Sequence, residues 1–347
     1  MSPERIVDLM LWSCGCSFFA SGRLRLLNDV QFSVLVLLSL ADVIADVMTI
    51  FLESQRATFF TINFVPYDAI RVFFLIFMRR HITPFCHSLT EVCKQIPAKR
   101  KPYYRNFSVI YASIYFIFNV CHASYSTRET ITRFHSKRTV TPISIIFLLD
   151  GYIDLSFRWP SLLNFLVAFL VEAQSDIELE FLHTTALSLK SSRRIGLFSF
   201  LRQVHELTLK KKKLLSLFGI IPCLTVLNLF FASTGTILHI RQNGLDSDIG
   251  FEVGTIVWSI VLFAYMTIVC DRSRQRVLAA GEELKMAMLM TRDRDWASAV
   301  NPLNRLTSYK HESCRLITLS ADFSLTFVSS LVTFAALAVQ FSTTTPS

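Results

Sequence analysis

Thr326, Ser330, Thr333, Leu337 and Gln340 follow one another at steps of 4, 3, 4 and 3, the spacing that sets side chains on one face of an α-helix. Phe327, Val328, Leu331, Val332, Phe334, Ala335, Ala338, Val339 and Phe341 take the other faces. A helix surrounded by lipid has no reason to segregate hydroxyls and an amide in this way. Two arrangements produce such a stripe. One is close packing against another helix, where Ser and Thr are common interface residues. The other is a water-lined passage, with Leu337 as a hydrophobic constriction and Gln340 as a polar ring at its outer mouth.

A second set of polar residues sits inside apolar segments: Asp42 and Asp46, Asp68 and Arg71, and Asp150, Asp154 and Arg158. Charges at such depth are costly and usually face a bundle interior or a water-filled cavity. Asp68 with Arg71, and Asp154 with Arg158, have spacings that allow pairing along one helix. Internal neutralisation is the expected role of Asp42 and Asp46. Tyr67, Asn119, His122 and Trp258 fall near the depth of Asp68, Arg71, Asp150 and Asp154, and aromatic walls with a few polar groups suit a small-molecule pocket. No nucleophile–base arrangement, phosphate-binding glycine loop or metal constellation points to an enzyme. No cofactor is expected either, and the His81, Cys86, His87, Cys93 group matches no metal spacing.

The elements that position these residues are apolar and long. The 347 residues are 52% hydrophobic, with 31 phenylalanines, only ten glycines and a mean hydropathy of +0.44. Charged residues are confined enough to leave segments of the roughly 20 residues that cross a bilayer as a helix. Seven are expected: Val30–Leu52, Phe59–Met78, Phe107–Tyr125, Ile143–Val171, Leu214–Ile240, Val253–Cys270 and Leu316–Phe341. The connections alternate in charge. Of 35 Lys and Arg, 27 lie in residues 1–29, 79–106, 172–213 and 271–315, and 6 lie on the opposite side. Basic residues resist translocation, so the amino terminus is expected inside and the carboxyl terminus outside. The net charge of +9 is then a topology signal and not a nucleic-acid footprint. The run Lys210–Lys213 would anchor the fifth span and attract anionic membrane lipid.

The expected organisation is a cytoplasmic segment 1–29, spans one to four over 30–171, a cytoplasmic helical extension 172–213, spans five and six over 214–270, cytoplasmic anchor helices 271–315, a seventh span 316–341 and an outer tail 342–347. Leu9–Ala20 is expected as a short cytoplasmic helix. Ile177, Phe181 and Leu182, then Leu197, Leu201 and Val204, then Val277, Leu278, Leu284 and Met288, give the inside blocks apolar faces. The block Gln275–Ala299 is expected to be helical. Asn301-Pro302 would then cap a new helix that carries Leu303, Leu306 and Leu316–Ile317 towards the last span. Trp159-Pro160 is expected to kink the fourth span.

The carboxyl-terminal residues Thr333-Phe334, the apolar run Ala335–Val339 and Gln340-Phe341 resemble the end of arthropod gustatory receptors, which read Thr-Tyr, five apolar residues, Gln-Phe. The departure is Phe334 for Tyr. Leu319–Leu325 is similar to the family's segment entering this helix. The resemblance implies an all-α, seven-span subunit of a tetrameric, poorly selective cation channel opened by a small-molecule tastant. Homomeric and heteromeric assembly with other gustatory subunits are both open. It implies a pore lined by the Thr326–Gln340 stripe, an anchor built from the extended fourth to seventh helices, and the plasma membrane of chemosensory neurons as location. A G-protein-coupled receptor would need an outside amino terminus, against the charge count. A secondary transporter is disfavoured by the odd span number and the absence of repeated halves.

Overall fold

The computed structural model describes residues 2–12, 17, 23–52, 59–137, 159–191, 196–243, 247–290, 294–309, 312–313 and 317–343. Ten α-helices appear among them. They are α1 (Pro3–Trp12), α2 (Arg23–Leu52), α3 (Phe59–Gln95), α4 (Lys101–Lys137), α5 (Trp159–Lys190), α6 (Leu197–Phe218), α7 (Ile221–Asn243), α8 (Ser247–Met290), α9 (Val300–Thr307) and α10 (Ala321–Thr343). The first, second, third and sixth expected spans each fall on one of these helices, the fifth is divided between α6 and α7, the seventh is helical from Ala321, and residues 143–158 of the fourth lie outside the described residues. The kink expected at Trp159-Pro160 sits at that edge, where α5 opens with Pro160 in its first turn.

Length separates the apolar spans from what continues beyond them. At about 1.5 Å per residue, a 37-residue helix such as α3 is ~55 Å long and the 44-residue α8 ~66 Å, against roughly 30 Å of hydrocarbon. Both therefore extend past the bilayer as continuous helix. Among the described residues, Arg23–Ala41, Leu197–Ile237 and Ile256–Met290 are long and apolar enough to cross a membrane, and Ala321–Phe334 is a shorter apolar stretch.

Two cores follow from this geometry. In the bundle, α5 is buried on every side from Leu162 to Val171, which makes it the central helix. It packs along α8, and aromatic contacts hold α4 against it: Phe165 stacks on Tyr111 at 3.6 Å and Phe169 meets Tyr104 edge-on at 5.3 Å. Beyond the bundle a second core joins α5, α6, α8 and α9 through Leu182, Phe200, Val204, Leu284, Trp296 and Leu303. This core carries the expected apolar faces, except that Leu278 is exposed. Each fully buried Leu or Phe in such a water-facing core contributes about 1.5–3 kcal/mol. Between lipid-bathed spans, packing contacts carry the association instead.

Several expected boundaries are corrected. The fifth span is not one helix, because Pro222 has no N–H to give Phe218, and the chain turns at Gly219-Ile220 before α7 begins. In the block Gln275–Ala299 the described α-helix runs to Met290 and Arg294–Ala299 form a 3₁₀ helix, with residues 291–293 outside the described residues. Asn301 is not the N-cap of the next helix, since α9 begins at Val300 after Ala299 without a side-chain cap. Pro302 still lies in the first turn, where its missing N–H costs nothing. Ile317 is not on a helix. It pairs in a two-residue antiparallel ladder, Glu312 with Thr318 and Ser313 with Ile317, which ends the lead-in before α10. The last helix therefore starts at Ala321, after Ser320, whose Oγ accepts the N–H of Phe323 at 3.2 Å as its cap. Near the amino end the described helix is Pro3–Trp12, whose Ile6, Val7, Met10 and Leu11 dock on α3 and α4, and residues 13–16 and 18–20 of the expected Leu9–Ala20 helix lie outside the described residues.

Candidate functional site

The last helix lies on α7 and α8 through one face only. Ser324 and Leu331 are buried there, Phe327 meets Phe263 at 5.6 Å between ring centres, and Phe334 meets Phe230 at 5.7 Å. The stripe occupies a different side: Thr326, Ser330, Thr333, Leu337 and Gln340 are all exposed in the subunit. Three of its hydroxyls donate back one turn, Thr326 to Asp322 O at 2.9 Å, Ser330 to Thr326 O at 2.8 Å and Thr333 to Ser329 O at 2.9 Å. Their protons are satisfied within the helix, and their lone pairs remain on its surface as acceptors. Leu337 stands 45% exposed among them.

The outward faces of the neighbouring spans have a different composition. On α2 the exposed side chains include Val30, Leu37, Ile44 and Met48, on α4 Ile110, Ile117 and Val120, and on α8 Val257, Val261 and Ile268. Those faces suit lipid. Among the described side chains of α10, Leu325 and Val332 form such a flank. Among the described residues, the stripe and this apolar flank lie side by side on the part of α10 that the subunit leaves uncovered.

The proposed pocket residues are placed less fully. Asp150, Asp154 and Arg158 lie outside the described residues. Tyr67, Asp68 and Arg71 fall on α3, Asn119 and His122 on α4, and Asp42 and Asp46 on α2, with side chains outside the described ones. Trp258 on α8 is half-buried against the bundle core. Phe341 is on α10, its side chain likewise undescribed. Among the described residues no group of His, Cys, Asp and Glu has the arrangement of a metal site.

Where the bundle meets the second core, the structure assembles a polar network that the sequence did not single out. Asp176 of α5, 5% exposed, accepts Tyr104 Oη at 2.8 Å and Arg276 at 3.1 Å, and Arg100 Nε lies 3.3 Å away. One turn earlier Glu172 accepts Tyr103 Oη at 3.3 Å. Burial, then the charge of Asp176, pushes the Glu172 carboxyl above the usual range, and the Tyr103 hydrogen bond opposes that shift. Burial followed by the nearby carboxylates raises the Tyr104 phenol.

The Lys210–Lys213 run is not a uniform solvated anchor. Lys210 pairs with Glu91 of α3 at 3.0 Å, and Lys211 is buried against Glu178 of α5 at 2.9 Å, while Lys212 and Lys213 stay exposed. The hydrogen bond from Lys210 holds the Glu91 carboxyl below its ordinary value, against a smaller opposing effect of burial. Helical phase would have flagged this split, because consecutive lysines point in four directions about a helix and one must face the packed side.

No protein-family model matches the chain, and no curated protein does. Its fold does match a solved structure. It is similar to the insect olfactory receptor OR5 from Machilis hrabei, determined in complex with eugenol, over 98% of this chain and 97% of that one, with a TM-score of 0.69 at 8% identity. The protein thus has a helical, multispan membrane fold that resembles the fold of this olfactory receptor.

Proposed function

We propose that this chain is a subunit of a gustatory-type chemosensory receptor that conducts cations when a small molecule binds between its spans. The observation that carries the reading is the composition of the uncovered surface. Among the described residues the exposed side chains of α2, α4 and α8 within the spans are mainly Leu, Ile, Val and Met, whereas α10 presents Thr326, Ser330, Thr333, Leu337 and Gln340 beside Leu325 and Val332. Several copies of α10 arranged about an axis would turn this stripe towards water, with Leu337 as a ring that closes by dewetting and Gln340 as a polar ring beside it. The apolar flank, Leu325 and Val332, would meet lipid or the neighbouring subunit. A tetramer in the plasma membrane, with amino termini inside, fits both the charge asymmetry and the likeness to an olfactory receptor.

The ligand would lie among Tyr67, Asp68, Arg71, Asn119, His122, Asp150, Asp154 and Trp258, and opening follows if it binds the open state more tightly than the closed one. The complex of the similar receptor with eugenol supports a ligand of that size and apolar–aromatic character. The test is electrical. Whole-cell recordings against a tastant panel that includes eugenol should give ligand-evoked cation current without G-protein input. Leu337→Ala should raise current in the absence of ligand, and Gln340→Ala should change ion selectivity. Unaltered currents in both variants would remove the stripe from the conduction path.

A further inference from the structure

Lys211 has an environment that anchoring a span does not require. Its side chain is 6% exposed and that of its partner Glu178 only 1%. The ammonium donates to Glu178 Oε2 at 2.9 Å and reaches Leu306 O at 3.4 Å. Glu178 in turn accepts Gln174 Nε2 at 3.2 Å on its other oxygen. Leu306 is in the last turn of α9, where carbonyls lack intrahelical partners and the helix dipole favours a cation. One ammonium therefore joins three elements: α5 through Glu178, α6 through its own backbone, and the carboxyl end of α9. Beside the pair lies a small pocket bordered by Gln174, Ser175, Ser273 and Val277.

The position of α9 gives this clamp its significance. The chain runs from α9 through the Glu312–Thr318 ladder directly into α10. We propose that Lys211 is a positioning residue for the last helix, its bond to the carboxyl end of α9 fixing the lead-in that sets where α10 stands. As an ion pair alone the arrangement would add little, since a buried pair loses in desolvation most of what it gains in attraction. A mutation that removes only the lysine leaves Glu178 buried and unpaired, so stability by itself is a poor readout of the role proposed here. The part of this inference that concerns current rests on the pore reading of α10. The part that concerns the lead-in does not.

The test uses the full chain purified in detergent. Hydrogen exchange is measured by mass spectrometry for Lys211→Met, Lys211→Arg and the paired apolar variant Lys211→Met with Glu178→Met, alongside basal sodium current in cells. The paired variant leaves no unpaired charge and guards against simple misfolding. In it, exchange over 300–320 should quicken about tenfold while 277–288 and 200–207 keep their protection. Lys211→Arg should restore the protection, and basal current should shift in the Met variants only. Unchanged exchange over 300–320 overturns the proposal, as does an even loss across all three segments, which would make Lys211 a support of the second core alone. Absence of current in the unmodified protein would count against the pore reading and leave the exchange result to decide the role of Lys211.

Discussion

At Gly281 the backbone of α8 passes directly beneath α9, and a methyl group added there would run into Thr307 Cγ2. Alanine gains about 1 kcal/mol over glycine in an open helix, so on propensity alone Gly281→Ala should stabilise the protein. The close approach reverses the sign. Gly281→Ala is expected to lower the melting temperature, and Thr307→Ser added to it should recover most of the loss. Serine removes the obstructing methyl and keeps the hydroxyl that donates to Leu303 O at 3.1 Å. Thermal melts of the two single variants and the pair form a cycle that isolates the contact. A purely additive result would mean that the two residues do not meet. Single-residue placement also explains the buried lysine. Lys211 and Lys212 are adjacent in sequence, yet one is closed off in the second core and the other is exposed.

Among the elements, the α4–α5–α8 junction is where pH should act. The Glu172 carboxyl titrates above its ordinary range, so as pH rises through that interval the folded protein gives up a proton that the unfolded chain has already lost. Stability therefore falls as pH climbs from the usual carboxylate value through the raised one, and the penalty is complete only above the raised value. Glu172→Gln should raise the melting temperature at pH above the raised value, leave it little changed below the usual carboxylate value, and flatten the profile between. An unchanged slope in melts across that range would mean that the carboxylate is better solvated than its surroundings imply. Glu91 works in the opposite direction. Its depressed carboxyl supports the α3–α6 contact at neutral pH, and that support fades as pH falls through its lowered value. The pair is partly exposed, so Glu91→Gln should weaken this contact only slightly.

For the whole molecule, the charge asymmetry makes a topology prediction that needs no ligand. Asn106-Phe107-Ser108 is the one glycosylation sequon in the chain, and it belongs to the set of connections that carries 27 of the 35 basic residues. Asn106 is exposed on α4, so burial would not protect it from modification. Expressed protein should carry no glycan at Asn106, and a carboxyl-terminal tag should be labelled on intact cells. Glycan at Asn106 would reverse the orientation and with it the outer position of Gln340. A purified particle should have fourfold symmetry with α10 nearest the axis. Gln340 turned into lipid in that particle would end the conduction proposal.

Residue order alone determined the apolar segments, the alternation of basic charge among the stretches that join them, and the periodicity of the Thr326–Gln340 stripe. These are local properties, set by the helical repeat and by transfer from water to lipid, and they are readable from types and spacing. The faces of the second core were legible for the same reason, through Leu182, Val204 and Leu284. Only the tertiary structure decided that the stripe stands on the uncovered side of α10, because periodicity defines a face without saying what it faces. It alone also brought Lys211 to Glu178 and Leu306, residues 33 and 95 positions away in the chain. It ended the lead-in with a strand ladder at Ile317, where the local pattern favoured helix. Those outcomes depend on which helices become neighbours, and a contact between distant segments leaves no period in either of them.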